Sequence, residues 1–207
     1  MPELSEEKAR EDVRSRVTPA AFDAIERFVG ACTRWGRVSN LVSASDRARL
    51  WERHVLDSLQ LVPLAEGQGP VWVDLGSGGG FPGIVVAIAR EGTRMTLVEA
   101  NKKKSAFLLQ AAAEAGVKVT VVPKRIEDVA PFAADVVSAR ALTALDGLID
   151  LARPFFAAHT IGLFPKGREA QTELAAAKAA HDFTASLVPS LTIDSSIVKV
   201  TDLRMVT

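Results

Sequence analysis

At 207 residues the chain is long enough for one full domain with a sizeable core, or for one domain and a small extension. Its 48% hydrophobic content excludes a disordered chain, and the balance of 25 acidic against 25 basic residues excludes the overall basic charge of a nucleic-acid binder, so any such role needs a local basic face. The single cysteine, Cys32, excludes an intramolecular disulfide and a Cys-rich zinc site, the charged start of the chain does not read as a signal peptide, and no apolar run approaches the ~20 residues of a membrane span; the expectation is a cytoplasmic protein with no metal and no membrane partner.

The pattern from about Leu4 to Gln60 is helical. Phe22, Ile25, Phe28 and Val29 form an apolar stripe opposite Asp23, Glu26 and Arg27. Thr18 before Pro19 predicts an N-cap followed by proline at the first helical position. A second stripe, Leu50, Trp51, Val55, Leu56 and Leu59, follows a turn-prone stretch from Gly36 to Asp46. The turn cluster Glu66 to Pro70 predicts a boundary between a helical extension, residues 1–66, and a second domain, residues 67–207. Beyond it, strands are predicted at Val71 to Leu75, Met95 to Glu99, Val117 to Val122, Asp135 to Ser138 and Thr160 to Phe164. Helices are predicted at Pro82 to Glu91, Lys103 to Ala115, Ala144 to Phe156 and Arg168 to His181. Such alternation means parallel strands with crossover helices, an open α/β sheet covered on both faces. Ala185 to Pro189 and Ile197 to Met205 have no helix between them and should pair antiparallel at one edge.

The strongest motif is Val71-Trp72-Val73-Asp74-Leu75-Gly76-Ser77-Gly78-Gly79-Gly80-Phe81-Pro82-Gly83. A strand runs into glycines that turn sharply and admit a ligand to the backbone, and a helix with unpaired N–H groups follows. Gly78, Gly80 and Gly83 also satisfy the dinucleotide fingerprint G-x-G-x-x-G. Asp74 argues against a pyrophosphate, which it would repel, and for a ligand with an ammonium group, such as the methionine part of S-adenosylmethionine. Glu99, ending the next strand, suits two ribose hydroxyls, as either that cofactor or NAD would require.

With the Asn40-Leu41 pair, the stretch Glu52-Arg53-His54-Val55-Leu56-Asp57-Ser58-Leu59, the loop DLGSGGGFPG, Lys103 to Leu108, Arg125-Ile126-Glu127, Ser138-Ala139-Arg140-Ala141 and Lys166-Gly167, the chain resembles the ribosomal RNA small subunit methyltransferase G family over nearly its whole length. The resemblance implies an α/β class I (Rossmann-like) S-adenosylmethionine-dependent methyltransferase fold: a mostly parallel seven-stranded sheet with one antiparallel edge strand, plus an N-terminal helical extension. It implies transfer of methyl to N7 of a guanine in the decoding-region loop of bacterial 16S rRNA, within the small ribosomal subunit or an assembly intermediate, by a monomer, with S-adenosyl-L-homocysteine as product. It carries cofactor contacts over to Gly76, Phe81, Ile126, Glu127 and Arg140. The loop chemistry adds Asp74, Ser77, Gly78, Gly80 and Glu99.

The remaining residues fit this chemistry by omission. Guanine N7 has a lone pair and no proton, so positioning rather than a general base supplies the catalysis. The chain has no Pro-Pro pair and no tyrosine, which the methylation of exocyclic amines commonly uses, and Cys32, upstream in the helical extension, is read as a buried inert thiol rather than a nucleophile. Arg140, after the fourth strand, is the catalytic candidate, able to donate to guanine O6 or a phosphate; the plainer role is an ion pair closing the sheet. Lys103, Lys104, Arg125 and Lys166 are candidate RNA contacts, set against solvated charges at element ends. His54 and Asp57, three apart on one helical face, are read first as a hydrogen-bonded link between extension and cofactor domain. Trp35, Trp51 and Trp72 are read as core. A catalytically silent binding protein on the same fold and an NAD-dependent oxidoreductase are the rival readings.

Overall fold

The computed structural model describes residues 5–36, 49–192 and 194–204. The Asn40-Leu41 pair and most of the turn-prone stretch after Gly36 lie outside them. Helix α1, Glu6–Arg16, starts at Ser5, whose hydroxyl accepts from the Lys8 amide. Helix α2, Pro19–Gly36, starts as its sequence predicts, with the Ala21 amide donating to the Thr18 hydroxyl. The second apolar stripe is not one regular helix. A π-helical segment, Trp51–Leu56, runs into short helices Asp57–Leu59 and Leu61–Leu64. Its first amides, those of Trp51 and Glu52, donate to the Glu6 carboxylate at 3.0 Å each, so α1 supplies the cap that the local sequence lacks.

Seven strands follow: β1 Val71–Leu75, β2 Arg94–Val98, β3 Val119–Val122, β4 Val136–Ala139, β5 Ile161–Lys166, β6 Thr184–Pro189 and β7 Ser196–Thr201. They are joined by α3 Gly83–Ala89, α4 Lys102–Ala115, α5 Leu145–Ala152 and α6 Ala170–Ala180. The spatial order is β3-β2-β1-β4-β5-β7-β6, with β1 to β5 parallel and the β6–β7 hairpin forming the antiparallel edge. The reversed strand is β7, which inserts between β5 and β6. Boundaries differ from expectation where the backbone is needed elsewhere. Helix α3 stops at Ala89 because Arg90 is extended and its guanidinium holds the Gln68 and Gly69 carbonyls in the preceding turn. The predicted helix from Ala144 to Phe156 ends in a 3-10 turn, Arg153–Phe155, around Pro154.

Strand alternation sorts the core into two layers. Trp72, Leu97 and Val136 face α2, α3, α4 and the π-helical segment, packing with Phe28, Val55, Leu56, Ile84 and Phe107. Val73, Leu75, Val98 and Val137 face the other way, onto Leu145, Leu148, Ile149 and Phe155. The helical extension therefore shares one hydrophobic layer with the sheet. Phe28 of α2 is fully buried, with its ring 4.9 Å from that of Phe81 beyond β1. We expect Phe28→Ala to cost ~3–5 kcal/mol, the range for truncating a buried phenylalanine, and urea unfolding to show one transition for extension and sheet together. A separate low-denaturant transition for the extension would show that the layer is not shared.

Candidate functional site

The carboxyl ends of β3, β2, β1 and β4 lie side by side, and the sequence candidates fall on them in that order. Ile126 and Glu127 occupy a 3-10 turn past β3, Glu99 follows β2, the glycine loop follows β1 and Arg140 follows β4. No cluster of three metal-ligating side chains occurs among the described residues.

Gly76, Gly78 and Gly80 have φ of 67°, 54° and 88°, conformations that other residues adopt only with strain. Their surroundings differ. A Cβ at Gly78 would meet nothing nearer than the Gly76 carbonyl at 3.7 Å, so here the loop offers bare backbone to open space. A Cβ at Gly80 would lie 2.8 Å from Ile84 and 3.0 Å from Phe28, and one at Gly83 would collide with Leu97 and lie 2.9 Å from the Asp74 carboxylate. Gly80 and Gly83 thus serve packing, and any ligand contact at Gly80 is through its main chain. Ser77 is equally committed: its amide donates to Val98 O and its hydroxyl to Asp74 O, so its buried side chain closes the loop and does not face a ligand.

Asp74 corrects the simplest electrostatic expectation. It is fully buried under α3, so its carboxylate acts on the loop from beneath and does not touch a ligand's ammonium group in this arrangement. The β1–β4 register sets Asp74 opposite Ser138, whose hydroxyl donates to Oδ1 at 2.7 Å and accepts from Trp72 Nε1 at 2.9 Å. Oδ2 has no well-formed hydrogen bond among the described residues. Burial therefore raises the Asp74 pKa to about 6, against the lowering effects of the Ser138 and Ser77 hydroxyls, the Gly83 amide and the Arg140 charge.

Glu99 sits at the rim, nearly buried. Its Oε2 accepts from the Gly78 amide at 2.9 Å and its Oε1 from the Asn101 amide at 2.8 Å. One carboxylate thus ties the glycine loop to the cap of α4, and each oxygen keeps lone-pair capacity for a diol. Ile126 is buried in the second core layer while Glu127 is exposed, so only the main chain of Ile126 is available to a ligand. Phe81 is also turned inward, against Phe28 and the His54 ring at 5.0 Å; a cofactor contact there is again a main-chain one.

Arg140 reaches back to the extension. Nη1 donates to Arg53 O at 2.8 Å and pairs with Asp57 Oδ2 at 3.4 Å, Nη2 lies 2.5 Å from His54 Nδ1, and the guanidinium lies over the Phe81 ring. A guanidinium cannot accept a hydrogen bond, so His54 Nδ1 is the acceptor and the ring proton is assigned to Nε2. The link expected of His54 and Asp57 is thus made through Arg140, and the ion-pair role proposed as its plainer alternative is present. Those contacts use three of the five guanidinium N–H groups.

Lys103 and Lys104 stand at the start of α4, their amides capped by Asn101, and Arg125 is exposed past β3. Lys166 is different: its Nζ donates to Thr143 O at 2.6 Å and pairs with Glu173 at 2.8 Å, and only 8% of its side chain is exposed. It holds the β4 loop to α6 and is withdrawn as an RNA contact. Cys32 is buried beside the Gly79 carbonyl, and desolvation pushes its thiol far above the usual range, so it is no nucleophile. Sequence reasoning missed Leu142, exposed at the rim with its side chain against Gly76, and the strained Ala141 before it, φ 52°; neither residue type signals such a position.

Residues 22–197 match the family model described as rRNA small subunit methyltransferase G. The chain is 44% identical to the ribosomal RNA small subunit methyltransferase G of Gluconobacter oxydans over 92% of its own length and 98% of the relative's. It is 42% identical to the protein of the same name from Methylorubrum populi over 94% and 98% of the two chains. Among solved structures it is similar in fold to a ribosomal protein L11 methylase from Lactobacillus delbrueckii, with TM-score 0.58, 16% identity and coverage of 71% and 79%. It is also similar in fold to the glycopeptide N-methyltransferase MtfA complexed with sinefungin, with TM-score 0.59, 10% identity and coverage of 72% and 93%.

Two outcomes test this geometry. Asp74 has a folded pKa raised to about 6, so the folded chain holds its proton more tightly than the unfolded chain. That contribution to stability is complete below the unfolded value near 4 and is lost as pH rises through about 6. Unfolding free energies of wild type minus Asp74→Asn should therefore fall by up to ~3 kcal/mol between pH 4 and pH 7; a flat difference would place the titration elsewhere. Glu99→Ala should weaken S-adenosylmethionine by ~1.5–3 kcal/mol, the loss of charge-assisted hydrogen bonds. Because Glu99 also anchors Gly78, calorimetry should show a smaller but real loss for a methionine fragment; an unaltered affinity for both would remove Glu99 from the site.

Proposed function

The chain belongs to the rRNA small subunit methyltransferase G family, and from that premise we propose that it methylates N7 of a guanine in the decoding-region loop of bacterial 16S rRNA. It is an S-adenosylmethionine-dependent rRNA methyltransferase, and the oxidoreductase and catalytically silent readings are not favoured. The finer reading extends to a monomer acting in the cytoplasm on the small subunit or an assembly intermediate. No helix among the described residues is long and apolar enough to cross a membrane, in keeping with that location.

The carrying observation is the row of strand ends. The open backbone at Gly78 suits the methionine end of the cofactor, the Glu99 carboxylate suits the ribose hydroxyls, and the turn at Ile126 and Glu127 suits the purine. When bound, S-adenosylmethionine supplies a methyl group on a positively charged sulfur. Asp74, ionised above pH 6 and buried beneath the loop, favours positive charge there through a low-dielectric path. Acceptance of methyl at guanine N7 releases no proton, so the site needs no general base. Arg140 stands next in the row, where the acceptor base must arrive, with two N–H groups beyond those given to Arg53, Asp57 and His54. Those donors suit guanine O6 or a flanking phosphate.

Arg140→Ala should lower single-turnover methyl transfer to purified small subunits at least ~10-fold, equivalent to ~1.4 kcal/mol in the transition state. Arg140→Lys should recover only part, because the charge stays and the planar fork is lost. A thermal melt on the same samples should show a clear downward shift, because nearly buried Asp57 loses its charge partner, and the methyl-transfer loss should persist at temperatures where the variant is folded. Wild-type turnover by the alanine variant would remove Arg140 from the reaction; a collapse of folding that accounts for all lost activity would leave it only the ion-pair role.

A further inference from the structure

We propose that Asp57, Gln60 and Thr192 are positioning residues for Arg140, so that the turn of the β6–β7 hairpin takes part in setting the acceptor side of the site. The proposal rests on the role given to Arg140 above. Asp57 is nearly buried and divides its carboxylate between two tasks. Oδ2 faces Arg140 Nη1, while Oδ1 accepts from Gln60 Nε2 at 2.7 Å and from the Thr192 hydroxyl at 3.1 Å. Two donors on one oxygen fix the plane of the carboxylate, and that plane aims the other oxygen at the guanidinium.

The donors are themselves held. Gln60 is nearly buried, its second amide hydrogen donates to Ser190 Oγ at 2.9 Å, and its Oε1 accepts from the Leu191 amide at 2.9 Å. Both ends of this side chain are therefore clasped by the hairpin turn, which settles the orientation of its amide. Thr192 Oγ1, having given its proton to Asp57, is placed to accept from Ser190 Oγ at 2.9 Å, and Ser195 Oγ, 2.6 Å from Thr192 Oγ1 and 2.9 Å from Thr192 O, divides its single proton between the two. The chain of bonds thus runs from a turn at the sheet edge, through the short helix Asp57–Leu59 and Gln60, to the guanidinium past β4. A long, rotatable arginine gains nothing catalytically from mere presence; its contribution depends on being held in a productive geometry before the base arrives. Arg53 O and His54 hold it from the π-helical segment, and the Asp57 network holds it from the hairpin.

The test is Thr192→Val, which keeps the shape and removes the hydroxyl. Single-turnover methylation of small subunits should slow about fivefold at saturating concentration, the scale of the net contribution of one ordinary hydrogen bond, with the half-saturating concentration nearly unchanged. Thr192→Ser should restore the rate, and Ser190→Ala should slow it more weakly. In the Arg140→Ala background, Thr192→Val should cause no further loss. The guanidinium Nε–H resonance of Arg140, assigned by its disappearance in Arg140→Ala, should shift in Thr192→Val and return in Thr192→Ser. An unmoved resonance, or the same slowing with and without Arg140, would overturn the proposal. A shifted resonance together with wild-type turnover by Arg140→Ala would keep the network and refute the role of Arg140 in the reaction.

Discussion

The order of the strands fixes where chemistry can occur. The chain lays β1, β2 and β3 outward in one direction, then returns to set β4 on the other side of β1. Connections leaving β1 and β4 must diverge to opposite sides, and a crevice opens at their carboxyl ends. The glycine loop and Arg140 are the two lips of that crevice because they follow those two strands. Glu99 and the turn at Ile126 extend it along the sheet, since β2 and β3 are next in line. The site is a consequence of parallel register before it is a collection of side chains.

The helical extension supplies the wall of this crevice. Phe28 reaches from α2 to Gly80 and Phe81, which is why the loop needs glycine at position 80 on its inner side as well as an open backbone at Gly78 on its outer side. The same glycine run answers two demands, close packing and ligand approach. From the π-helical segment His54 lies against Phe81, and from the short helix that follows it Asp57 pairs with Arg140, so contacts with the extension reach both lips of the crevice. That segment and the first residue of the short helix after it present the Arg53 carbonyl, the His54 ring and the Asp57 carboxylate to a single guanidinium.

Most of the sheet was legible because parallel strands buried on both faces carry continuous apolar runs, and crossover helices carry a longer period. The glycine loop and the acid ending β2 were legible because few other roles explain so many glycines beside a buried strand. Side-chain direction was not. Ser77, Phe81 and Ile126 lie at the site by chain position, yet their side chains turn into the protein. Asp74 was read as a ligand contact, but the pleat points it under α3, and only the register with Ser138 reveals its actual partner. Lys166 looked like a cation awaiting phosphate until the fold brought Glu173 and the Thr143 carbonyl to it. Lys166 and Thr143, 23 positions apart in sequence, carry no local signal of contact, and the Asp57–Thr192 bond spans 135.

The neutral net charge becomes intelligible once the charges are assigned to work. Many cations are spent within the fold: Arg140 on Asp57, Lys166 on Glu173, Arg90 on the turn before β1, and Arg27 on the carbonyls that end α4. Among the described residues, Lys102, Lys103, Lys124 and Arg125 are exposed cations that follow β2 and β3, on the side of the crevice away from β5. Phosphate attraction falls off over a Debye length of ~8 Å at physiological salt, so on the proposed function a small cluster beside the site would draw in a backbone that a distant net charge could not. Glu127 and Asp128, exposed among those cations, limit the cluster's strength. On the proposed function such a surface would provide weak general attraction and leave selection of the base to shape and to the few donors at the crevice, the condition under which fixing the orientation of Arg140 matters most.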